Sequence, residues 1–319
     1  MSIRIGIDLM GGDHAPREVV HGIRRYVDQS STSAQLTLIG DPAEALPLLQ
    51  EFAIPDTNYK LHPTTEVIGM HEHPTRALKE KPNSSIAQGF RLLASGEIDA
   101  FLSAGNTGAM LVGTLFSIQA LEGVIRPTMG TVMPKLNGRT GLILDVGLNA
   151  DCKPEHLNQF AVMGAVYAKH MLGIENPKVG LLNVGEEEGK GNLLAQATYP
   201  LLRDNQSIQF IGNIEGRDLM SEKADVMVCE GFTGNIVLKM AESLYDMAKH
   251  TGIKHPFLDR FHFENYGGTP VLGVRKPVIV GHGISGSLAF CNMINLAQQM
   301  IETDILGKMA QEIARQSAS

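Results

Sequence analysis

The chain has 319 residues, of which 43% are hydrophobic, and a formal net charge of −7 at pH 7. That length is sufficient for one large α/β unit or for two subdomains. The acidic balance disfavours a nucleic-acid-binding protein, because such proteins usually carry a basic surface. The three cysteines, Cys152, Cys229 and Cys291, lie far apart and indicate neither a disulfide framework nor a zinc site.

Short and nearly continuous apolar runs occur along the whole chain. Runs of this kind are typical of parallel strands that are buried on both faces. The predicted strands are residues 3–8, 35–39, 100–103, 129–133, 141–146, 178–184, 225–229 and 278–281. The first of them begins almost at Met1. We therefore expect neither a secretory leader nor a membrane span, and a cytoplasmic location.

Helical patterns separate many of these strands. They share apolar residues at helical spacing on one face: Val19, Val20, Ile23 and Val27 after Pro16; Ile86, Phe90 and Leu93; and Phe160, Met163, Tyr167 and Met171 after Pro154. Asp41 and Pro42 predict an N-cap and first turn of a helix that extends to about Phe52. The alternation of strand and helix predicts an α/β fold with a doubly wound, mostly parallel sheet and helices on both faces.

Six times along the chain, a strand pattern ends in a polar and mostly glycine-rich loop. These loops are residues 8–16, 103–108, 145–154, 183–192, 229–235 and 281–287. In open α/β sheets, ligands bind at the carboxyl ends of the strands. Helix N-termini with nearby glycines favour anions, since several N–H groups point outward there. The sequence therefore predicts a site for a phosphate-like group.

The loops supply the candidate site residues. Those expected to bind phosphate or to order the loops are Asp8, Gly11, Gly12, Asp13, Ser103, Gly105, Asn106, Thr107, Asn183, Arg217 and Lys239. Those expected to act in catalysis are Lys190, Asn149, Asn235 and His282. Purely structural roles stay open for several of them: Asp13 and either Asn106 or Thr107 as helix caps, Arg217 in a surface ion pair, and His282 as a structural histidine.

Common nucleotide and nucleophile motifs do not fit these loops. The stretch from Asn183 to Asn192 resembles a P-loop, but its glycines are one residue too close and Gly191 stands where a magnesium-binding Ser or Thr belongs. The chain contains no dinucleotide fingerprint. We expect no metal site, and a nucleophilic pair of Cys152 and His156 remains an alternative.

Taken in order, the loops resemble a known family. The matching stretches are Met10-Gly11-Gly12-Asp13, Ser103-Ala104-Gly105-Asn106-Thr107-Gly108, Asp151-Cys152-Lys153-Pro154-Glu155-His156-Leu157, Leu182-Asn183-Val184-Gly185-Glu186-Glu187, Gly212-Asn213-Ile214-Glu215-Gly216-Arg217-Asp218, Gly231-Phe232-Thr233-Gly234-Asn235 and Tyr266-Gly267-Gly268. This ordered set resembles the bacterial acyl-acyl-carrier-protein:phosphate acyltransferase family, PlsX. It covers nearly the whole chain.

The resemblance implies a fold similar to isocitrate and isopropylmalate dehydrogenases and to phosphotransacetylases. It implies one catalytic unit over residues 1–319, with two subdomains around a cleft, and a cytoplasmic homodimer without cofactor. The implied reaction converts acyl-acyl-carrier protein and phosphate into acyl phosphate and free carrier protein, in phospholipid synthesis. The acyl phosphate then passes to a membrane glycerol-3-phosphate acyltransferase.

The chain departs from the family pattern in three places. Leu148 and Glu230 stand where the family usually has alanine and aspartate. Residues 240–263 are shorter than the helical hairpin of many relatives, which is associated with dimer packing and membrane contact. We expect a short helical projection there, packed on a dimer partner or in weak peripheral contact with a membrane.

We expect phosphate to attack the thioester directly, without a covalent enzyme intermediate. Lys190, Arg217 and the loop from Ser103 to Thr107 are expected to hold phosphate. The thioester carbonyl is expected to be polarised by Asn149, Asn235 or His282. Two alternatives remain: a non-catalytic module that binds a phosphate ligand or a carrier protein, and a nicotinamide-dependent dehydrogenase on a related fold.

Overall fold

The computed structural model describes residues 2–29 and 34–318. Its strands, in chain order, are β1 (Arg4–Asp8), β2 (Gln35–Gly40), β3 (Tyr59–Pro63), β4 (Ala100–Ser103), β5 (Thr128–Pro134), β6 (Thr140–Leu144), β7 (Lys178–Leu182), β8 (Gln209–Ile214), β9 (Val226–Val228), β10 (Gly268–Leu272) and β11 (Val278–Gly281). Most of their neighbouring pairs are parallel.

Helices connect and surround these strands. They are α1 (Arg17–Gln29), α2 (Pro42–Glu51), α3 (Pro74–Glu80), α4 (Ser85–Ser95), α5 (Thr107–Gly113), α6 (Pro154–Met171), α7 (Leu193–Asp204), α8 (Gly231–Thr251), α9 (Pro256–Asp259), α10 (Ser287–Glu302) and α11 (Ile305–Ala318). The predicted fold class, a mostly parallel sheet with helices around it, is confirmed. Among the described helices, none is both long enough and apolar enough to cross a membrane.

The chain divides into two compact units. Unit 1 comprises Met1–Gln119 and Phe263–Glu302, and unit 2 comprises Ala120–His262 and Thr303–Ser319. In unit 1 the strand order is β3-β2-β1-β4-β11-β10, with only the β10–β11 pair antiparallel. The order reverses between β1 and β4, which is the position where doubly wound sheets bind ligands.

Unit 2 has the strand order β5-β6-β9-β7-β8. Its β5–β6 pair is antiparallel and the remaining pairs are parallel. The carboxyl ends of β6, β9, β7 and β8 therefore lie along one edge of the sheet. The loops that follow these strands begin at that edge.

The predicted elements agree well with the structure. All eight predicted strands are present, and Asp41 caps α2 by accepting a 2.8 Å hydrogen bond from the N–H of Ala43. The stripes on α4 and α6 are buried, as expected. Helix α1 begins at Arg17, directly after Pro16. Val27, which the pattern predicts on its apolar face, is only half-buried, whereas Tyr26 is buried.

Three strands were not predicted, and each has a local reason. Residues 59–63 are polar and only partly buried, as expected for the edge strand β3. Strand β8 contains Gly212 at a φ of +93° and a register irregularity against β7. Strand β10 contains Pro270. Proline and glycine both weaken a strand pattern, so these positions carry no clear strand signal.

Lys135, directly after β5, is a buried cation in unit 2 and only 3% exposed. Its Nζ donates a 2.8 Å hydrogen bond to the carbonyl of Leu219. Burial lowers the pKa of Lys135 from 10.5 to about 8, and the charges of Asp225 and Asp218 act in the opposite direction. The folded protein therefore favours the neutral amine more than the unfolded chain does.

The resulting stabilisation is complete above pH 10.5 and is lost as the pH falls through about 8. We expect Lys135→Met to remove this dependence, so that wild type gains about 2.5 kcal/mol of unfolding free energy relative to the variant between pH 7 and pH 10. Denaturant titrations of both proteins across this range measure the difference. Parallel stability curves would contradict the prediction.

Candidate functional site

In unit 1 the loops after β1 and β4 are joined through one buried carboxylate. Asp8, the last residue of β1, is fully buried and accepts hydrogen bonds from Ser103 Oγ at 2.6 Å and from the N–H of Met10 at 2.9 Å. Ser103 Oγ in turn accepts a 2.9 Å hydrogen bond from the N–H of Gly105. Burial raises the pKa of the Asp8 carboxyl, and hydrogen bonds from Ser103 and Ser85 partly offset that shift. Asp8 therefore organises both loops at the switch point of the sheet.

Gly11 lies against this network and leaves no room for a side chain. A methyl group added there would lie 2.5 Å from Asp8 Oδ2 and 2.7 Å from both the Gly105 nitrogen and Ser103 Oγ. Because real Cβ atoms are essentially never this close to other heavy atoms, only glycine fits. The structure thus brings together Asp8, Gly11, Ser103 and Gly105.

The loop after β11 reaches the same region of unit 1. Gly12 has a φ of +114°, in the region that favours glycine. The N–H of Asp13 donates a 2.7 Å hydrogen bond to the carbonyl of Gly283. The Asp13 side chain is exposed, and it does not cap α1, which begins four residues later. His282, beside Gly283, is also exposed, and its ring lies 5.1 Å from that of Phe263.

Asn106 has a structural role in this arrangement. It is the N-cap of α5, where its Oδ1 accepts a 2.9 Å hydrogen bond from the N–H of Ala109. Its Nδ2 donates to the carbonyls of Gly69 at 2.9 Å and Glu72 at 3.0 Å. Thr107, the first residue of the helix, is exposed. The capping role that the sequence left open therefore belongs to Asn106, whereas Thr107 faces solvent.

Unit 2 contains a second buried carboxylate of the same kind. Asp145 follows β6, is fully buried, and accepts hydrogen bonds from the N–H groups of Met129 (3.1 Å) and Leu148 (3.2 Å). It also accepts hydrogen bonds from the backbone N–H and from the side-chain Nδ2 of Asn149, both at 2.7 Å. Burial raises the pKa of Asp145, and these hydrogen bonds partly offset the shift. The Asn149 side chain is thereby held in place, with a further 2.8 Å bond from Nδ2 to the Pro127 carbonyl.

The start of α8 packs directly on this second carboxylate. The N–H of Gly231 donates a 2.7 Å hydrogen bond to the Asn149 carbonyl. A methyl group added at Gly234 would lie 1.8 Å from the Asp145 carbonyl oxygen. Asn235, one residue further along, is exposed and lies beside Gly147, which has a φ of +132°. Asn149 and Asn235 thus belong to one cluster.

The loop after β7 holds two further candidates, Asn183 and Lys190, near each other. Asn183 Nδ2 donates a 3.1 Å hydrogen bond to the carbonyl of Lys190, and its Oδ1 accepts one from the N–H of Val184 at 2.8 Å. The Lys190 side chain is exposed. Asn192 caps α7 by accepting a 2.8 Å hydrogen bond from the N–H of Ala195. Asn183 and Asn192 therefore shape this loop.

Two cationic candidates make ion pairs within unit 2. Arg217, whose side chain is 74% exposed, pairs with Glu215 and lies 3.8 Å from Glu186. Lys239 pairs with Glu242 on the same helix at 2.7 Å. The ion pair that the sequence left open for Arg217 is thus present, and its partner is Glu215. Binding of phosphate by either side chain remains a prediction.

A cluster of three carboxylates, Glu186, Glu215 and Asp218, lies beside Arg217. Lys223 Nζ donates to Glu186 at 2.7 Å and to Asp218 at 2.9 Å. The positive charges near these carboxylates are therefore supplied by the chain itself. We assign no ligand to the cluster.

Comparison with known proteins identifies the family. Residues 3–253 match the model of the family described as "Fatty acid synthesis protein". The chain belongs to this family. It is 42% identical to a phosphate acyltransferase of Halothermothrix orenii, covering 98% of both chains. It is 43% identical to a phosphate acyltransferase of Aquifex aeolicus, covering 96% of both. The chain is an acyltransferase, and the resemblance to the PlsX family is confirmed.

Solved structures support the fold assignment. The structure is similar to a phosphotransacetylase from Streptococcus pyogenes, with a TM-score of 0.67, 18% sequence identity and 94% of each chain covered. A second neighbour is the EutD phosphotransacetylase from Staphylococcus aureus, with a TM-score of 0.62, 16% identity and 94% of each chain covered. At these identities the likeness concerns the fold alone.

Asp145, a buried carboxylate that orders a loop of unit 2, is not among the site residues predicted from the sequence. The signal was present, because Asp8 and Asp145 both lie within one residue of the end of a strand pattern and both precede a glycine within three residues. In the sequence, however, Asp145 is one of several carboxylates in its loop. Its depth of burial and its four N–H donors appear only in the structure.

Cys152 is unsuited to act as a nucleophile in this enzyme. Burial, followed by the negative charges of Asp145 and Glu230, raises the pKa of its thiol to about 12. The neighbouring His156 uses Nδ1 to accept a 3.1 Å hydrogen bond from the N–H of Lys153. Because the thiolate is the reactive form, this shift disfavours Cys152 as a nucleophile near neutral pH.

We accordingly expect Cys152→Ala to retain at least about half of the wild-type acyl-transfer rate. The assay is release of free thiol from an acyl thioester at saturating phosphate, with the variant checked for folding by circular dichroism. Intact-mass measurement of wild type during turnover should show no acyl adduct. A folded variant without turnover, or an acyl group trapped on Cys152, would contradict direct transfer.

Proposed function

We propose that this chain transfers the acyl group of an acyl-acyl-carrier-protein thioester to inorganic phosphate. The products are acyl phosphate and free carrier protein, and the role is in bacterial phospholipid synthesis. The observation that carries the proposal is the pair of strand-end loop systems, each held by a fully buried aspartate, Asp8 and Asp145. The family match and the name of the curated relatives support the same reaction.

The proposed chemistry needs little acid or base assistance. A phosphate oxygen attacks the carbonyl carbon of the thioester, and the carbon–sulfur bond breaks as the acyl phosphate forms. The departing sulfur takes up a proton, and thiols have pKa values of about 8.5, so that it leaves readily. The protein must supply alignment, worth ~7–11 kcal/mol, and donors for the carbonyl oxygen, worth ~3–4 kcal/mol each.

Burial divides the candidate residues between two roles. Asp8, Ser103 and Asn106 are buried and hold the loops of unit 1. We propose that the exposed side chains meet substrate: Asp13, Thr107, Lys190, Arg217, Asn235, Lys239 and His282. Asn149 is 7% exposed, and its side chain is held by Asp145. It would act on the thioester carbonyl only if that oxygen came within hydrogen-bond distance.

One assay tests the proposed reaction. The purified protein is incubated with acyl-carrier protein and phosphate, and the free thiol is measured alongside formation of acyl phosphate. We expect release of thiol only when phosphate is present. A folded protein that binds carrier protein without releasing thiol would instead be a binding module. Reduction of a nicotinamide cofactor would favour a dehydrogenase.

The proposed carrier protein is acidic, so its docking requires a local basic surface. Two groups of basic residues are candidates for this surface. The first, Arg76, Lys79 and Lys81, is largely neutralised, because Arg76 pairs with Glu80 at 2.8 Å and Lys81 with Glu72 at 2.6 Å. The second comprises Lys249, Lys254 and Arg260, near the end of α8. We therefore propose the second group as the docking surface.

Reversing two charges tests this surface. We expect Lys249→Glu combined with Lys254→Glu to raise the KM for carrier protein about tenfold, because rim charges act mainly through the association rate. The kcat and the KM for phosphate should not change. Arg76→Glu is the matched control and should leave all three parameters near wild type. An unchanged KM in the double variant would reject the surface.

Helix α8 carries an exposed apolar face that suits a second copy of the chain. Phe232, Ile236, Met240 and Met247 are 64%, 52%, 66% and 58% exposed. Their spacing places them within one face of the helix. We propose that this face packs in a homodimer. The alternative is weak contact with a membrane, where the acyl phosphate would be delivered to a glycerol-3-phosphate acyltransferase.

Light scattering separates the two proposals for α8. Met240→Lys is expected to convert a dimer into a monomer if the face packs on a partner. If wild type is already monomeric and floats with anionic lipid vesicles, the face contacts membrane instead.

A further inference from the structure

A cavity of about 210 Å³ opens in unit 2 at the carboxyl ends of β7 and β9. Buried apolar side chains line it, among them Leu157, Leu181, Ala195 and Cys229. Val184 also lines it and is 78% exposed, and Leu193, next to the lining residue Leu194, is 86% exposed. Apolar surface thus continues from the cavity to the exterior.

The polar side chains of the cavity already have partners in the surrounding backbone. Asn183 bonds to Val184 and Lys190, and Asn192 caps α7. Glu230 caps α8 by accepting the N–H of Thr233 at 2.7 Å. A ligand with several amide groups would lose hydrogen bonds to water on entry and gain few in return. The cavity therefore favours an aliphatic group.

The charge at the cavity wall disfavours an anion. Glu230 lines the cavity, and its negative charge contributes to the raised pKa of both Cys229 and Cys152. A phosphate group placed there would be repelled by this carboxylate. An uncharged methylene chain is not.

The cavity also adjoins the cluster around Asp145. The first turn of α8 supplies Glu230 and Thr233 to the cavity wall, and its Gly231 bonds to the carbonyl of Asn149. Because Gly231 lies between Glu230 and Thr233, a group held at Asn149 lies close to the wall of the cavity.

We infer that this cavity receives a segment of the aliphatic chain of the acyl substrate and thereby favours long chains over short ones. The inference rests on the proposed acyl transfer to phosphate. Whole-ligand pockets usually measure about 300–1,000 Å³, so the smaller volume suits part of a chain.

Filling the cavity tests the inference. Ala195, on the inner face of α7, is 9% exposed, and Ala195→Leu projects added methyl groups into the space. Each buried methylene is worth about fourfold in binding. If two methylenes of substrate are displaced, the ratio of kcat/KM for palmitoyl- over acetyl-carrier protein should fall at least about tenfold. Leu194→Phe, at a half-buried lining position, should lower the same ratio.

The matched control is Ala197→Leu, the same change at an exposed position of α7. It should keep the wild-type ratio and activity. A folded Ala195→Leu or Leu194→Phe protein with an unchanged ratio would overturn the inference, while the proposed reaction stands. Wild type that releases no phosphate-dependent thiol from either substrate would overturn both.

Discussion

Replacing Asp145 by alanine should lower kcat/KM for acyl transfer at least about 100-fold and destabilise the protein by about 4 kcal/mol. The carboxylate accepts four N–H donors in a site without solvent exposure. Each donor left unsatisfied costs about 1–3 kcal/mol, and water entering the gap will recover part of that. The loss of alignment follows because Asn149 and the start of α8 are held through this residue.

Thermal unfolding and steady-state kinetics on Asp145→Ala measure the two effects, with kinetics recorded well below its melting temperature. Asp151→Ala is the control, because Asp151 lies exposed in the same loop. It should change neither stability nor kcat/KM appreciably. Asp145→Asn provides a conservative comparison. Its amide would place N–H groups opposite the N–H donors of Asn149, so we expect this variant to lose activity as well. Near-wild-type turnover in the folded alanine variant would show that the loops do not depend on Asp145.

The sequence predicted the architecture because the relevant signals are local. Eight buried strands, the Asp41 cap and the stripes of α4 and α6 follow from patterns within single elements. The strands β3, β8 and β10 escaped prediction because polar residues, Gly212 and Pro270 weaken their patterns. The order of the loops was specific enough to reveal the family.

The roles of individual site residues depend on burial and partners, which a single sequence does not encode. Asn106 and Thr107 are adjacent polar residues in one loop, yet one caps α5 and the other faces solvent. Arg217 has the chemistry of an anion clamp, but its ion pair with Glu215 comes from the fold of residues 215–218. The same holds for Asp145, because its donors come from strand β5 and from the loop after β6.

Gly11→Ala should disrupt the hydrogen-bonded loops at the switch point of unit 1. The methyl group would meet Asp8 Oδ2 at 2.5 Å and the Gly105 nitrogen at 2.7 Å. Asp8 is fixed by Ser103, and Gly105 is backbone, so neither is free to move without breaking the hydrogen bonds at the switch point. Overpacking of this kind costs about 1–3 kcal/mol of stability.

The effect on catalysis should exceed the effect on stability. A displacement of about 1 Å in a loop that aligns the reactants is enough to lower turnover about 100-fold. Gly189→Ala is the matched control, because among the described residues a methyl group there meets no atom within 4 Å. If the loop of Gly11 holds phosphate, the KM for phosphate should rise in Gly11→Ala while the KM for carrier protein stays near wild type. Equal changes in the two KM values would indicate that phosphate binds elsewhere. Wild-type kinetics in the variant would show that the loop takes no part in the reaction.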